Sequence, residues 1–293
     1  MVKSVFIIRK ICPFCESKKI SQIFKKNLDD IDIVNYLKKH LNKNFPLKIL
    51  EKKKFVIMEC QNCTGLFQKN ILNNKYNKKF YDKYVPHDEA FEKKQNNKSY
   101  FDKIYRYEIS LIKNYFKKEK NIKVLEIGAG WGFWSINALK NNMDISAVEL
   151  SQVRRNFLRK KNVKVYNSIN SLKGKFHFIF SDQTFEHLSH PLRVLKKISK
   201  SLKKNGIIFL KVPPGVYIKK KLNSKYRVGD DEIIPLEHIN VFNVNVNRHI
   251  AKKLNLKYIY PKNCYSFLSF DFIKKIFSDF HENYSSKTII FRK

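Results

Sequence analysis

Long hydrophobic runs are missing from this sequence. No apolar stretch in the 293 residues approaches the roughly 20 residues that a transmembrane helix needs. The first ten residues are too short, and too soon interrupted by charge, to be a signal peptide. We therefore expect a protein without a membrane span, located by default in the cytoplasm.

Acidic residues are also scarce, and arginine is rare among the basic residues. The chain has 60 Lys and Arg against 25 Asp and Glu, a formal net charge of +35. Clustered basic residues neutralise phosphates, so a large positive charge is common in nucleic-acid-binding proteins. Here, however, lysines dominate and are spread over the whole chain, whereas arginine is the better reader of bases. The pattern favours solvated surface lysines and leaves nucleic acid as the less favoured partner.

No internal repeat is visible, which excludes solenoids and propellers. Hydrophobic residues make up 43% of the chain and aromatic residues 14%, as in folded globular proteins. The sequence divides into three predicted regions. Residues 1–71 hold four of the five cysteines and short β-like runs, residues 72–120 form a connector and an amphipathic helix, and residues 121–293 form the main domain.

In the main domain, short apolar strands alternate with helical stretches. This alternation is typical of βαβ units and predicts an α/β fold with a seven-stranded, mostly parallel sheet. The predicted strands are residues 122–127, 144–149, 163–166, 176–180, 207–212, 257–260 and 288–292. The predicted crossover helices are residues 133–140, 151–160 and 191–203.

A glycine-rich turn follows the first of these strands. Glycine permits a left-handed backbone and, having no Cβ, allows a ligand to lie against the main chain at a helix N-terminus. The next strand ends at Glu149, where a carboxylate can bind ribose hydroxyls. These features predict a cofactor site; the alternative is a tight turn that binds nothing. The residues of the turn motif are Glu126, Gly128, Gly130 and Gly132.

This motif resembles the first motif of the class I S-adenosylmethionine-dependent methyltransferases, an acidic residue followed by G-x-G-x-G. Every position is matched, and the resemblance extends over roughly residues 100–293. It implies a Rossmann-like fold whose glycines approach the amino-acid end of S-adenosylmethionine, while Glu149 binds the ribose. A dinucleotide-binding motif would need glycine at position 133, which is Phe133. The implied cofactor is therefore S-adenosylmethionine.

Residues 178–191 and 202–213 continue the resemblance, which is to the branch containing many small-molecule methyltransferases. In that branch the end of the fourth strand lies between cofactor and substrate, so Asp182 and Gln183 are candidate pocket residues. Enzymes that methylate base amino groups commonly carry an Asn- or Asp-Pro-Pro-aromatic motif here. Residues 181–184 read Ser-Asp-Gln-Thr, which disfavours base methylation.

Methyl transfer is an in-line displacement, so alignment of the nucleophile, the methyl group and the leaving group supplies most of the rate. A hydroxyl or acidic-carbon acceptor also needs a base, commonly histidine near neutral pH. His187, just beyond the fourth strand, and His238 are the candidate catalytic bases. For each, the alternative is a structural role in which the ring ties a loop by hydrogen bonds.

Four cysteines form two C-x-x-C pairs near the N-terminus, and we expect them to bind zinc. In a reducing compartment four thiolates suit tetrahedral zinc, and such a closed site is structural. The alternatives are scattered free thiols and a redox pair, although neither pair has a thioredoxin-like βαβ setting. The fifth cysteine, Cys264, is expected to be packed. The predicted zinc ligands are Cys12, Cys15, Cys60 and Cys63.

Residues 59–68 and 79–84 resemble the zinc module that precedes some sugar-modifying methyltransferases. Members of that group act on nucleotide-linked deoxysugars or other glycan and secondary-metabolite precursors. The resemblance implies an S-adenosylmethionine-dependent enzyme whose acceptor is a small molecule, such as a sugar, a glycan precursor or a related metabolite. No signal for an oligomeric state is visible. The alternatives are an RNA methyltransferase, whose zinc module and basic surface bind phosphates, and a non-enzymatic scaffold, which the complete cofactor motif disfavours.

Overall fold

The structure is a computed structural model that describes residues 4–213, 215, 217–224, 226–229, 232–259 and 288–293. Cys264 lies outside these residues. The chain forms two compact units, each assembled from separate stretches of sequence. The first unit comprises Met1–Ala90, Glu186–Leu192 and Pro213–His249, and the second comprises Phe91–Phe185, Arg193–Val212 and Ile250–Lys293. The domain boundaries at residues 71 and 120 stay predictions.

Strands and helices alternate along most of the described chain. The strands are β1 (Phe6–Ile8), β2 (Ile20–Asn27), β3 (Lys54–Cys60), β4 (Leu66–Gln68), β5 (Asn70–Leu72), β6 (Lys123–Ile127), β7 (Asp144–Val148), β8 (Lys164–Tyr166), β9 (Phe176–Asp182), β10 (Leu202–Lys211), β11 (Asn240–Val241), β12 (Lys257–Ile259) and β13 (Thr288–Arg292). The helices are α1 (Ile31–His40), α2 (Asn74–Lys83), α3 (His87–Asn96), α4 (Lys98–Tyr115), α5 (Phe133–Lys140), α6 (Gln152–Lys160), α7 (Pro191–Lys200), α8 (Ile218–Ser224) and α9 (Val244–Leu254). None of the helices in this part of the chain is long and apolar enough to cross a membrane.

The second unit contains a seven-stranded sheet in the order β12-β13-β10-β9-β6-β7-β8. Strands β6 to β10 are parallel, and β13 runs antiparallel to both β10 and β12. The predicted α/β fold with a mostly parallel sheet is confirmed. Because both faces of such a sheet are covered, its strands are largely apolar, and β6 buries Val124, Leu125 and Ile127.

The chain reverses its direction across the sheet at β6. Strands β7 and β8 lie on one side of β6, and β9 and β10 lie on the other. Sheets of this kind bind ligands outside the carboxyl ends of the strands at which the direction reverses, so we expect a ligand near the carboxyl ends of β6 and β9. Trp134 of α5 packs below this edge, stacked on Phe180 with ring centroids 4.4 Å apart.

The first unit is built around a four-stranded sheet in the order β11-β4-β3-β2, in which the pairs are antiparallel. A two-stranded sheet pairs β1 with β5. The structure also has helix α1 here, where the sequence predicted only small strands. The Asp30 side chain caps α1 by accepting from the Asp32 backbone N–H, and Ile33 and Leu37 are buried one helical turn apart.

One predicted helix is too long in the second unit. The sequence predicted a helix over residues 191–203, but α7 ends at Lys200 and β10 begins at Leu202. Leu202 pairs with Phe176 at the start of β9, and the register shifts before Ile207. The intervening Asn205 has a φ of 59°, so this polar stretch is a kink within a strand.

Candidate functional site

The glycine turn after β6 has the left-handed backbone that its sequence predicts. The φ angles are 72° at Gly128, 56° at Gly130 and 70° at Gly132. Only glycine adopts this region without a steric penalty. The Gly128 N–H donates to the Val148 carbonyl at 2.9 Å, so the turn is fastened to the end of β7.

The three glycines differ in what surrounds them. A Cβ on Gly128 would lie 2.2 Å from Thr184 Oγ1, and a Cβ on Gly132 would lie 2.0 Å from Leu158 Cδ2. A Cβ on Gly130 would meet no described atom within 4 Å. The outer glycines are therefore required for packing, whereas Gly130 faces open space where a cofactor can lie against the main chain.

Glu149 is placed beside this open space. Its Oε2 accepts from the Gly130 N–H at 2.7 Å, and its Oε1 accepts from the Ser151 N–H at 2.8 Å. The side chain is only 6% exposed. Two charge-assisted hydrogen bonds thus fix the carboxylate at the carboxyl end of β7, next to the glycine turn.

Glu126 lies on β6, below the glycine turn, and is buried. The Ser135 hydroxyl of α5 donates to its carboxylate. Burial raises the pKa of Glu126 to about 7, and Asp182 adds to the increase, while Ser135 and Lys94 oppose it. A cationic group placed beside this carboxyl would lower its pKa again and favour the ionised form.

Asp182 ends β9 and Gln183 follows it, at the same edge of the sheet. Asp182 is half-buried, and its negative charge contributes to the raised pKa of Glu126. Gln183 is exposed, has a φ of 48° and donates its backbone N–H to the Lys211 carbonyl at 3.0 Å. Asp182 therefore lies close to the carboxyl group of Glu126, whereas Gln183 is exposed to solvent.

The two predicted catalytic histidines lie together in the first unit. The ring centroids of His187 and His238 are 4.8 Å apart. His187 Nδ1 lies 2.9 Å from the Tyr81 hydroxyl of α2 and 3.0 Å from the Glu237 carbonyl. Because a backbone carbonyl only accepts, this contact places the proton of His187 on Nδ1 and leaves the lone pair on Nε2.

Burial alters the ionisation of this histidine cluster. Burial, assisted by His238, lowers the pKa of His187 to about 3, so its ring is neutral at physiological pH. Burial raises the pKa of Glu237 to about 7. Burial also raises the pKa of Tyr81 well above its usual range, and the charges of Glu237 and Glu186 act in the same direction.

The buried side chain of Gln68 makes hydrogen bonds to the backbone of the segment that carries His238. The Gln68 side-chain amide donates to the Ile234 carbonyl at 2.6 Å and to the His238 carbonyl at 3.0 Å, and its oxygen accepts from the Leu236 N–H. Leu236 has a φ of 71°, a strained value for a branched residue. The hydrogen bonds of Gln68 thus help to stabilise the left-handed backbone conformation at Leu236.

The four predicted zinc ligands come together in the first unit. The two C-x-x-C segments fold alike, because the residue four positions after the first cysteine, Glu16 or Thr64, donates its N–H back to that cysteine's carbonyl. The Sγ atoms of Cys12 and Cys63 are 3.6 Å apart, and those of Cys15 and Cys60 are 3.5 Å apart. A tetrahedral zinc ion with Zn–S bonds of about 2.3 Å separates its sulfur ligands by about 3.8 Å. The thiols therefore fit zinc.

Comparison with known proteins bears on the second unit above all. A family model described as a methyltransferase domain matches residues 100–260, more than half of the chain. The chain belongs to this methyltransferase family. Its reaction class is S-adenosylmethionine-dependent methyl transfer. A search of curated proteins found no match to the methyltransferase.

Solved structures share the fold of the methyltransferase. The plantazolicin methyltransferase BpumL in complex with SAH aligns with a TM-score of 0.50 and 12% identity, over 70% of this chain and 88% of that chain. BpumL with a monoazolic desmethylPZN analog and SAH gives 0.51 and 11%, over 69% and 87%. A putative sarcosine dimethylglycine methyltransferase from Galdieria sulphuraria gives 0.44 and 16%, over 65% and 85%. For the two BpumL structures, the similarity at these identities concerns the fold alone.

Sequence reasoning missed several residues that the structure of the methyltransferase brings to the histidine cluster. Tyr81 and Gln68 reach it from positions more than a hundred residues away in sequence. A signal for the neighbouring carboxylates was present, because each candidate histidine follows a glutamate, as Glu186-His187 and Glu237-His238. This repeated dipeptide is the feature that could have indicated a cluster.

Proposed function

We propose that the methyltransferase transfers a methyl group from S-adenosylmethionine to a small molecule, namely a sugar, a glycan precursor or a related metabolite. The cofactor lies over Gly130, with Glu149 on its ribose and Glu126 and Asp182 near its amino-acid end. S-adenosylmethionine supplies the activated methyl group. The observation that carries the proposal is the open space over a left-handed Gly130 beside the fixed carboxylate of Glu149.

The choice of acceptor is supported by the sequence of the first unit and by the missing base-methylation motif. Residues 59–68 and 79–84 resemble the zinc module of sugar-modifying enzymes, and residues 181–184, Ser-Asp-Gln-Thr, stand where base-methylating enzymes carry the motif that binds a base amino group. The four-cysteine cluster holds zinc in a structural role. The histidine cluster serves the acceptor, and in it His187 and His238 are the candidate bases for a hydroxyl or an acidic carbon.

Binding of S-adenosylmethionine tests the cofactor site, with Gly130→Ala as the variant. A Cβ at residue 130 enters the cofactor space, so we expect micromolar binding by the wild type in calorimetry and at least a tenfold weaker affinity in Gly130→Ala. The matched control is Gly174→Ala. Gly174 is also left-handed, with a φ of 92°, and its Cβ would meet no described atom within 4 Å.

Both substitutions cost about 1–2 kcal/mol of backbone strain, so they should lower the melting temperature alike. Only Gly130→Ala should weaken binding. The cofactor assignment fails if the wild type does not bind S-adenosylmethionine, or if the two variants weaken its binding equally.

A further inference from the structure

Glu186, His187 and His238 bring two imidazoles and a carboxylate together in the first unit. Potential ligand atoms of the three residues all lie within 4.8 Å of one another. The distance from His187 Nε2 to Glu186 Oε1 is 3.8 Å, which is too long for a hydrogen bond. Two ligands of one tetrahedral ion, at metal–ligand distances of about 2.0–2.2 Å, are about 3.3–3.6 Å apart. A small rotation of the Glu186 and His238 side chains about the fixed His187 ring would therefore bring the three residues to the spacing of metal ligands.

The protonation of His187 matches that of a ligand. Its Nδ1 donates to the Glu237 carbonyl, which leaves the Nε2 lone pair on the side of the Glu186 carboxylate. Metal-bound histidines commonly donate their second ring N–H to a carbonyl or carboxylate in this way, because that bond fixes the tautomer and the ring orientation. Tyr81 contacts the same nitrogen and further limits rotation of the ring.

The surroundings of the three residues suit a cation that also binds a ligand. The Glu186 side chain is 1% exposed, and a buried carboxylate costs free energy that a divalent cation offsets directly. The Asn240 side-chain amide donates to the Glu186 and Leu188 carbonyls and fixes the backbone around His187. The His187 side chain is 21% exposed, so a molecule from solvent can reach its edge.

We propose that Glu186, His187 and His238 form a binding site for a divalent transition-metal ion, separate from the four-cysteine cluster. Three protein ligands leave at least one coordination position open, as in catalytic rather than structural zinc sites. Two imidazoles and one carboxylate favour Zn²⁺, Fe²⁺ or Co²⁺ over Mg²⁺ and Ca²⁺, which prefer oxygen ligands.

The use of this ion rests on the proposed function, although the site itself does not. A hydroxyl of the acceptor bound at the open position would have a lower pKa, because the cation stabilises its oxyanion. Its proton would then pass to water, and neither imidazole would need to accept it. A metal-bound site and a free histidine base are therefore alternative ways to prepare the same acceptor.

Cobalt binding tests the site in protein that holds one zinc ion per chain, at the four-cysteine cluster, with the proposed second site free of metal. We expect wild-type protein to bind one equivalent of added Co²⁺ in calorimetry, with weak visible absorption bands and without the intense near-ultraviolet bands of cobalt bound to thiolates. His238→Ala and Glu186→Gln should weaken this binding at least tenfold. His40→Ala, which removes an exposed histidine of the same unit, should bind Co²⁺ as the wild type does.

Three results would overturn the proposal: no binding of Co²⁺ by the wild type, bands of thiolate-bound cobalt alone, or full binding by both site variants. Circular dichroism verifies that the variants fold. Should either variant unfold, pulsed electron paramagnetic resonance of wild-type protein with one equivalent of Cu²⁺ decides. Coupling to imidazole nitrogens supports the site, and its absence refutes it. S-adenosylmethionine binding, measured on the same samples, separates failure of this inference from failure of the cofactor site.

Discussion

At the scale of single residues, Glu126 couples its ionisation to folding. Its pKa is about 7 in the folded protein, against an ordinary value of 4.5. Between these two pH values the folded state binds more protons at this position than the unfolded state does. The contribution of Glu126 to stability therefore falls as the pH rises from about 4.5 to about 7. His187 acts in the opposite direction, because its pKa is lowered, so stability is lost as the pH falls below 6.5.

Comparison with Glu126→Gln isolates this effect. Gln resembles the protonated carboxyl, so the variant and the wild type should have similar melting temperatures at pH 5. At pH 8 the variant should be more stable, by up to about 3 kcal/mol in the free energy of unfolding. Thermal unfolding followed by circular dichroism measures the difference. Glu51→Gln, at an exposed position, serves as the control, and parallel pH curves for wild type and Glu126→Gln would contradict the assignment.

Residues were predictable from sequence where the local chain dictates their conformation. The alternating glycines predict a left-handed turn because other residues adopt this backbone conformation only at a cost in free energy. The position of Glu149 beside the turn was predictable because this residue comes at the end of the next strand. Gln68 and Tyr81 were not predictable. Both lie in segments that resemble the zinc module, but their roles depend on hydrogen bonds to residues that are 106 to 170 positions away, which a local pattern does not reveal.

At the scale of secondary-structure elements, the two C-x-x-C turns should depend on one zinc ion. Cys60 ends β3, and Cys12 precedes β2, so the bound metal would join the ends of paired strands. We expect Cys60→Ser to lose one zinc per chain relative to the wild type and to unfold the first unit at lower temperature, because binding of structural zinc contributes directly to folding.

Plasma mass spectrometry of freshly purified, reduced protein measures the zinc content. The control is Cys264→Ser, which changes the cysteine without a C-x-x-C partner and should keep the wild-type amount. A zinc content near zero in the wild type would contradict the assignment.

Elements were predicted well where the hydrophobic pattern is long and poorly where it is short or broken. Helix α5 and strand β13 have the predicted bounds. Helix α1 was missed because its apolar face contains few residues, although Asp30 offered a cap. The start of β10 was assigned to the preceding helix, because Lys203, Lys204 and Asn205 interrupt its apolar pattern.

At the scale of the whole molecule, the role of the +35 charge differs between the two candidate acceptors, a small molecule and RNA. If the lysines are only solvated, RNA binding is weak and nonspecific, with dissociation constants of roughly 1–100 μM at physiological salt. We expect the radioactive methyl group of S-adenosylmethionine, incubated with the enzyme and a cell extract, to enter the small-molecule fraction. An RNA acceptor would be favoured by two results together. The label would be found in RNA and released by ribonuclease, and the affinity of the protein for RNA would fall steeply as the salt concentration rises.

The pairing of β4 with β11 has a consequence for synthesis of the chain. Phe67 is aligned with Asn240, so the N-terminal sheet lacks its last strand until more than 170 further residues have left the ribosome. At about 5–20 residues per second this takes on the order of 10 seconds or more. Throughout that interval β4 presents a bare hydrogen-bonding edge, which nascent-chain chaperones recognise and which invites aggregation when they are scarce.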